Sequence, residues 1–298
     1  MYLIICLFVI ISYLCTSKSN NSVFVMMKKC FVVPVLAGAA MVACTDSRRG
    51  GDASLALEDS LEVTADSVAV DESMPAMADE LFDDFFFNYA SHANWQRERT
   101  VFPLTVVDEE QTGKMEQRQW KQESFFMNQD YYTLIFDSPR QMELSCDTTV
   151  SEATVERIDL DKARVQQFVF SRQSGRWMLH EMRWQNLPHN PNAQFLSFYK
   201  NFVSDSVFQH RSLASQIVFS GPDPDDDFST LDGLITPDFW DAFKPEMPQH
   251  VLYNIVYGQP WQGGAQKIFL LRGIDNDMLV EMTFRQQRGR WKLVKLLM

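Results

Sequence analysis

The stretch that decides the fold is Ser174-Gly175-Arg176-Trp177-Met178-Leu179, which returns 114 positions later as Arg288-Gly289-Arg290-Trp291-Lys292-Leu293. Runs of strand-forming residues precede and follow both copies. A glycine between two such runs supplies the positive φ that a tight β-hairpin needs, and the tryptophan after it can bury a large apolar area across a sheet. We therefore expect a structural role for six residues: Gly175, Arg176, Trp177, Gly289, Arg290 and Trp291. The two arginines are expected to pair with an acidic loop or a helix end.

The repeated region is wider than this hairpin. Residues 82–89 match residues 195–202 at an offset of 113, and Trp120 and Trp240 are 120 positions apart. Such agreement over a long separation indicates a tandem duplication. We predict a first repeat over residues 81–187, a linker over 188–193 and a second repeat over 194–298. Each repeat has about the size of a small domain.

Each repeat begins with an aromatic helix and continues with strands. Phe82, Phe85, Phe86 and Tyr89 recur at helical spacing, and the second repeat has the same pattern from Phe195 onwards. A second helix is predicted near residues 114–127, and a shorter one near 237–243. The remaining apolar runs, including residues 141–146, are predicted as strands. Helices followed by antiparallel strands indicate the α+β class, with the helices packed on one face of a sheet.

The N-terminal region indicates that the protein is located in the cell envelope. A short basic segment, Met27-Lys28-Lys29, precedes an apolar run that ends at Met41-Val42-Ala43-Cys44. This arrangement resembles the signal peptide and lipobox of bacterial lipoproteins. The resemblance implies cleavage before Cys44, acylation of Cys44 and anchoring to a membrane through lipid. A signal anchor with an incidental cysteine is the alternative.

The predicted signal region, residues 1–43, also contains a second apolar run over residues 2–15. This run is shorter than the roughly 20 residues of a membrane-spanning helix, so we expect translation to begin at Met26 or Met27. A genuine second hydrophobic segment is the alternative. Thr45 follows Cys44 where an aspartate would favour the inner membrane in the lipoprotein pattern. This indicates an outer-membrane location facing the periplasm.

Residues 44–80 are predicted to form a disordered tether. Residues 45–80 contain ten acidic and two basic side chains and no aromatic residue. Such a segment cannot bury enough surface to fold. The net charge of the chain is −12, and an acidic chain without basic clusters argues against nucleic acid as a partner.

The order of elements resembles the nuclear-transport-factor-2-like superfold. The resemblance implies two tandem cone-shaped repeats, each with N-terminal helices packed on a curved antiparallel sheet around a pocket. The duplicated, lipid-anchored chain as a whole resembles an uncharacterised family of lipoproteins from gut-type anaerobic Gram-negative bacteria, built from a domain of unknown function. The superfold hosts isomerases, dehydratases, cyclases and binding modules, so the fold leaves function open.

Candidate chemical groups are few. His180 and Glu181 lie on the last strand of the first repeat, and an isomerase-like site would pair an acid with a tyrosine such as Tyr89. The run Asp223, Asp225 and Asp227 has the alternation of a calcium loop, but Phe228 and Leu234 stand where that loop needs glycine and glutamate. A solvated acidic loop is the preferred interpretation. No metal or cofactor site is predicted, and Cys146 is expected to be a buried small hydrophobe.

Three classes of function remain. The preferred one is a non-catalytic binding module for a small ligand, a glycan or an envelope protein partner. A structural or assembly lipoprotein, whose pockets are filled, comes next. An isomerase-like or dehydratase-like enzyme is the least favoured, because the sequence shows no constellation of catalytic residues.

Overall fold

The structure is a computed structural model that describes residues 79–109, 111–223, 226–259, 264–274, 276 and 278–298, without the side chains of residues 226–228. These residues all belong to one compact unit within residues 68–298. The predicted signal region, the lipidation site Cys44 and nearly all of the predicted tether lie outside the described residues.

The first repeat has short helices at its start and long strands at its end. Its elements are α1 (Phe82–Ser91), α2 (Ala93–Glu98), β1 (Thr100–Asp108), β2 (Gln111–Met115), a 3-10 turn (Gln117–Gln119), β3 (Tyr131–Phe136), α3 (Pro139–Glu143), a 3-10 turn (Leu144–Cys146), β4 (Glu152–Asp159), β5 (Arg164–Gln173) and β6 (Arg176–Asn186). A 3-10 turn (Leu187–His189) opens the linker.

The second repeat also begins with two helices and has six strands, but its third helix precedes the third strand instead of following it. Its elements are α4 (Ala193–Ser204), α5 (Ser206–Arg211), β7 (Leu213–Asp223), β8 (Asp226–Ile235), a 3-10 turn (Pro237–Phe239), α6 (Trp240–Phe243), β9 (Val251–Tyr257), β10 (Gln266–Gly273), β11 (Leu279–Gln287) and β12 (Arg290–Leu297). The short helix predicted near residues 237–243 is present.

The two repeats exchange one strand. The first sheet has the order β2-β1-β6-β5-β4-β9, and the second has the order β3-β10-β11-β12-β7-β8. Thus β9 of the second repeat pairs with β4, and β3 of the first repeat pairs with β10. Both pairings are antiparallel, whereas β1–β6 and β7–β12 are parallel. Each sheet therefore needs a strand from the other repeat to reach its sixth position.

Both Gly-Arg-Trp stretches form two-residue hairpins. Gln173 pairs with Arg176 across Ser174 and Gly175, and Gln287 pairs with Arg290 in the same way. The central residues have positive φ, 52° and 82° in the first hairpin and 52° and 75° in the second. Two positive values are the requirement of a type I′ turn, whose twist matches that of the strands. The Arg176 guanidinium pairs with Glu98, the last residue of α2, at 2.5 Å.

The interior of each cone is filled with aromatic side chains. In the first repeat, Phe85, Phe86 and Tyr89 of α1 are fully buried against Phe170 of β5. In the second, Phe195, Tyr199 and Phe202 of α4 pack among rings that include Phe269 and Phe284. Buried aromatic rings provide large apolar areas and favourable edge-to-face contacts. They hold each helix on its sheet and leave the cone interiors occupied by the protein itself.

The chain enters the first repeat through a buried ion pair. Asp79 accepts two hydrogen bonds from the Arg99 guanidinium, at 2.8 and 3.0 Å, and a third from the backbone N–H of Trp177 at 2.9 Å. The Arg99 side chain is only 4% exposed. The folded part of the chain therefore includes residue 79, two positions before the predicted start of the first repeat.

Two secondary-structure predictions were wrong. Residues 114–127 do not form a helix: the chain makes β2, a 3-10 turn and an irregular segment in which Phe125 has φ 46°. This irregular backbone lets Phe125 and Phe126 both enter the core. Residues 141–146 are helical instead of extended, because Pro139 begins the helix α3. Cys146, expected to be buried, is an exposed free cysteine on the following turn.

Candidate functional site

A cavity of about 400 Å³ lies against the face of the first sheet that points away from α1. Alternate residues of β4, β5 and β6 line it, since successive strand residues point to opposite faces of a sheet. The opposite wall is formed by the end of β3, by α3 and by the linker. Its lining residues on the sheet include Thr154, Glu156, Gln167, Val169, Arg183 and Gln185, and those on the opposite wall include Asp137, Gln141, His189 and Asn192.

Glu156 is the centre of the polar network in this cavity. Its side chain is 1% exposed, and its carboxylate accepts hydrogen bonds from three side-chain amides. Gln167 donates at 2.9 Å, Asn190 at 2.7 Å and Asn254 at 2.8 Å. A buried carboxylate is costly unless such donors replace its water. The three donors lie on β5, on the linker and on the exchanged strand β9, so the network joins the two repeats.

The network continues to a buried cation. Asn190 accepts a hydrogen bond from the backbone N–H of Asn192, and Asn192 accepts one from the Lys267 ammonium at 2.5 Å. Lys267 also contacts the Asp137 carboxylate at 2.5 Å, and the Lys267 side chain is only 5% exposed. Asn254 contributes again by accepting a hydrogen bond from the backbone N–H of Ile135 at 2.9 Å. Polar partners thus fix the walls of the cavity.

Among the described residues, the equivalent positions of the second repeat carry different chemistry. Glu156 pairs with Gln167 across β4 and β5, and the equivalent pair across β10 and β11 is Leu270 with Glu281. Leucine therefore stands at the position of the central carboxylate, and Glu281 pairs with Lys295 at 3.0 Å instead. At this pair of duplicated positions, the first sheet carries the amide-bound carboxylate and the second sheet does not.

Comparison with known proteins places the chain in a family. A family model for a domain of unknown function, DUF4348, matches residues 61–298. The chain belongs to the DUF4348 family. It is also similar to an NTF2-like protein from Bacteroides fragilis NCTC 9343, known from a crystal structure: the two share 38% identity over 76% of this chain and 98% of that one, with a TM-score of 0.68. No curated protein matches the chain.

These similarities confirm the predicted fold class. The DUF4348 chain is an α+β protein with an NTF2-like fold, and its two six-stranded sheets fit the tandem repeats. The prediction of an uncharacterised family with this fold is also confirmed. Among the described residues, no helix has the length and apolar character needed to cross a membrane.

The three candidate catalytic residues of the DUF4348 chain lie at separate positions in the structure, each with its own contacts. The Tyr89 hydroxyl is buried and lies 2.9 Å from the Thr100 hydroxyl, and burial raises the pKa of Tyr89. Glu181 pairs with Arg183 at 2.5 Å. His180 is the extra residue of a β-bulge, because Leu179 and Glu181 pair with the consecutive residues Phe170 and Val169. Val294 occupies the equivalent bulge in the second repeat. Within the described residues, no contact joins these three side chains into one site.

The acidic run from Asp223 to Asp227 lies at a hairpin. Asp223 pairs with Asp226 where β7 meets β8, and the Asp223 carboxylate accepts a hydrogen bond from Ser229 at 3.2 Å. Asp225 and the side chain of Asp227 lie outside the described residues. In the part of the chain that the structure describes, no group of three or more His, Cys, Asp or Glu side chains is arranged to hold a metal ion.

Sequence reasoning missed an acid–tyrosine pair at the junction of the repeats. The Tyr257 hydroxyl donates a hydrogen bond to Asp83 at 2.6 Å, and the Arg272 guanidinium lies 3.9 Å from the same carboxylate. Arg272 also donates to the Tyr132 hydroxyl at 3.3 Å. Burial raises the pKa of Asp83 to about 6. Asp83 lies on α1, Tyr257 on β9 and Arg272 on β10, so a contact between them could not be found from their spacing.

Proposed function

We propose that the protein is a membrane-anchored envelope lipoprotein whose folded body is a non-catalytic binding module. The observation that carries the binding role is the polar cavity behind the first sheet, with its fixed amide-bound carboxylate. The NTF2-like fold is compatible with such a module. The cone interiors are filled, so we assign ligand binding to the cavity and not to the cones.

Geometry favours binding over catalysis. The Glu156 carboxylate accepts three hydrogen bonds from neutral amides, and Lys267 is held by Asp137 and Asn192. A general base needs a free position from which it can reach a proton on the substrate. Neither group has that freedom, because both are already engaged by the protein. The network can position a ligand without transferring a proton.

A thermal-shift screen tests the binding role. The purified protein would be screened against neutral sugars, peptidoglycan fragments, bile acids and phospholipids. A ligand at one hundred times its Kd adds about 2.7 kcal/mol to the free energy of unfolding, so a hit is readily detected. Thr154→Phe places a ring in the cavity and should abolish the shift. Ser171→Phe places the same ring on the same face of the sheet, on β5 and outside the lining, and should retain the shift. A hit that Thr154→Phe leaves unchanged would refute the cavity as the site.

The anchoring is proposed from the sequence pattern that ends at Cys44. We propose acylation of Cys44 and an outer-membrane location facing the periplasm, with residues 45–80 as a spacer. Cys44→Ser should prevent labelling of the protein with a palmitate analogue. Labelling that persists in Cys44→Ser would contradict this part of the proposal. Cys146→Ser is the matched control, since Cys146 is the exposed cysteine of the folded body.

A structural or assembly role is the second candidate, and the filled cones favour it. Aromatic rings occupy both interiors, and exchanged strands join the repeats into one body. This candidate predicts that no small molecule shifts the unfolding temperature. It also predicts that cross-linking in cells captures one envelope protein reproducibly. An enzyme of the isomerase or dehydratase kind stays the least favoured, since His180, Glu181 and Tyr89 have separate partners.

A further inference from the structure

We infer that the ligand of this cavity is a small, uncharged, hydroxyl-rich molecule of the sugar class. This inference rests on the proposed function and adds the chemical class of the ligand. A volume of about 400 Å³ is at the lower end of the range for ligand pockets, so the ligand is small. Three independent features of the lining then select its chemistry: the balance of charge, an unpaired donor and a pair of aromatic rings.

The charge of the cavity disfavours an anion. Arg183 is paired with Glu181, and Lys267 is paired with Asp137, each at 2.5 Å. Glu152 and Glu156 also line the cavity, and among the described residues neither has a cationic partner. The charged lining residues are Asp137, Glu152, Glu156 and Arg183, so the lining has a net negative charge, and its arginine is already neutralised. The carboxylates of the lining would repel a phosphate or carboxylate on the ligand. Such a group would also lack the charge-assisted hydrogen bonds from a free cation that normally bind it.

An unpaired donor disfavours a simple cation. The Nε2 atom of Gln185 is buried and has no hydrogen-bond partner among the described residues, and Gln185 lines the cavity. A buried donor without a partner is destabilising, so a ligand that supplies an acceptor gains affinity there. An ammonium group carries no acceptor. A hydroxyl group carries both a donor and an acceptor, and it therefore suits Gln185 and the Glu152 carboxylate at once.

Two other amides of the lining, those of Gln167 and Gln259, have the same dual character. Gln167 uses one N–H of its amide for Glu156, and Gln259 uses one for Glu152 at 2.9 Å. Each keeps a second N–H and a carbonyl oxygen. On the apolar side, the Phe136 and Tyr257 rings stack with centroids 6.4 Å apart and planes 12° apart. Both rings belong to the lining, and an apolar wall of this kind suits the C–H groups of a sugar ring.

The test compares sugars that share one ring and differ only in charge. Isothermal titration would use glucose, galactose and mannose, each with its 2-amino and 6-phosphate form, together with neutral disaccharides of the same sugars. We expect a neutral member to bind at least ten-fold more tightly than its amino and phosphate forms. Gln185→Met removes the amide from the cavity and should weaken that binding at least ten-fold. Gln173→Met, which changes an exposed glutamine at the end of β5, should leave it unchanged.

The outcomes separate the ligand class from the proposed function. Tightest binding by a phosphate form would overturn the uncharged class, and tightest binding by an amino form would do the same. If Thr154→Phe abolished such binding, the cavity would still stand as the site. Absence of binding by every sugar, together with a thermal shift from a bile acid or a lipid, would overturn the sugar class and retain the binding role. Absence of any shift across the whole screen would overturn the proposed function itself.

Discussion

Replacing Asp83 with asparagine should remove a pH dependence of stability. Asp83 sits at the junction of the repeats, where Tyr257 donates to it and Arg272 lies nearby. Because burial raises the pKa of Asp83 from 3.8 to about 6, the folded protein holds a proton there more tightly than the unfolded chain. The resulting stabilisation is complete below about pH 3.8, and it is lost as the pH rises through about 6.

The size of the effect follows from the pKa. A change from 3.8 to about 6 corresponds to about 3 kcal/mol, at about 1.36 kcal/mol for each pH unit. The Asp83 side chain is still 17% exposed, so water screens part of this and we expect a measured value of about 1–3 kcal/mol. Asparagine keeps an acceptor for Tyr257 and carries no charge. Asp83→Asn should therefore gain stability relative to the wild-type protein as the pH rises from 4.5 to 7.5.

Urea unfolding followed by tryptophan fluorescence measures this difference across the pH range. Taking the difference between variant and wild type cancels the titration of other groups. Asp238→Asn, at an exposed position, should differ from the wild-type protein by an amount of stability that does not change with pH. If the wild-type protein instead became the more stable of the two as the pH rose, the ion pair with Arg272 would outweigh burial and the reasoning would be refuted.

Three further predictions concern the joined repeats. The two repeats expressed as separate fragments, residues 79–191 and 192–298, should each lack cooperative unfolding, because each sheet loses its exchanged strand. The whole protein should unfold in one transition. Cooperative thermal unfolding of either fragment alone would contradict this. Asp79→Ala leaves Arg99 buried without its partner and should cost about 3 kcal/mol in urea unfolding, with a loss under 1 kcal/mol arguing against the ion pair. Glu156→Leu introduces the leucine that the second repeat has at the equivalent position. It should leave three amide donors without an acceptor and lower the free energy of unfolding by at least about 2 kcal/mol, whereas Glu281→Gln on the second sheet should lower it by less.

Local sequence patterns predicted much of the fold. The spacing of Phe82, Phe85, Phe86 and Tyr89 located α1, and the glycines at 175 and 289 located the two hairpins. These features depend on residues close in sequence, so a short window contains the whole signal. The strands over residues 251–257 and 290–297 were found from the same kind of signal.

The strand exchange could not be predicted. The strands β3 and β9 are both short apolar runs, and either edge of either sheet would bury such a run equally well. The choice between them depends on contacts made far along the chain, such as the hydrogen bonds between Thr133 and Tyr253. The helix predicted at residues 114–127 failed for a related reason: Phe125 and Phe126 follow the needs of the core and override the local preference.

The candidate site was hidden for a physical reason too. In β4, Glu152, Thr154 and Glu156 alternate with apolar residues, which is the pattern of a strand with one solvated face. Only the folded chain shows that the end of β3, α3 and the linker cover this face. Two of the three donors to Glu156 come from positions 34 and 98 residues away. No spacing rule connects residues so far apart.

The central claim is that ligands bind in the cavity behind the first sheet, while the cones stay closed. An NMR titration of the ¹⁵N-labelled protein with the neutral sugars measures this most directly, because the side-chain amides of Gln167, Gln185 and Gln259 line the cavity itself. The account predicts that these signals shift with saturation, while the backbone amides of Phe170 and Phe284 in the two aromatic cores do not. Saturable shifts confined to the cores, with the cavity amides unchanged, would contradict it.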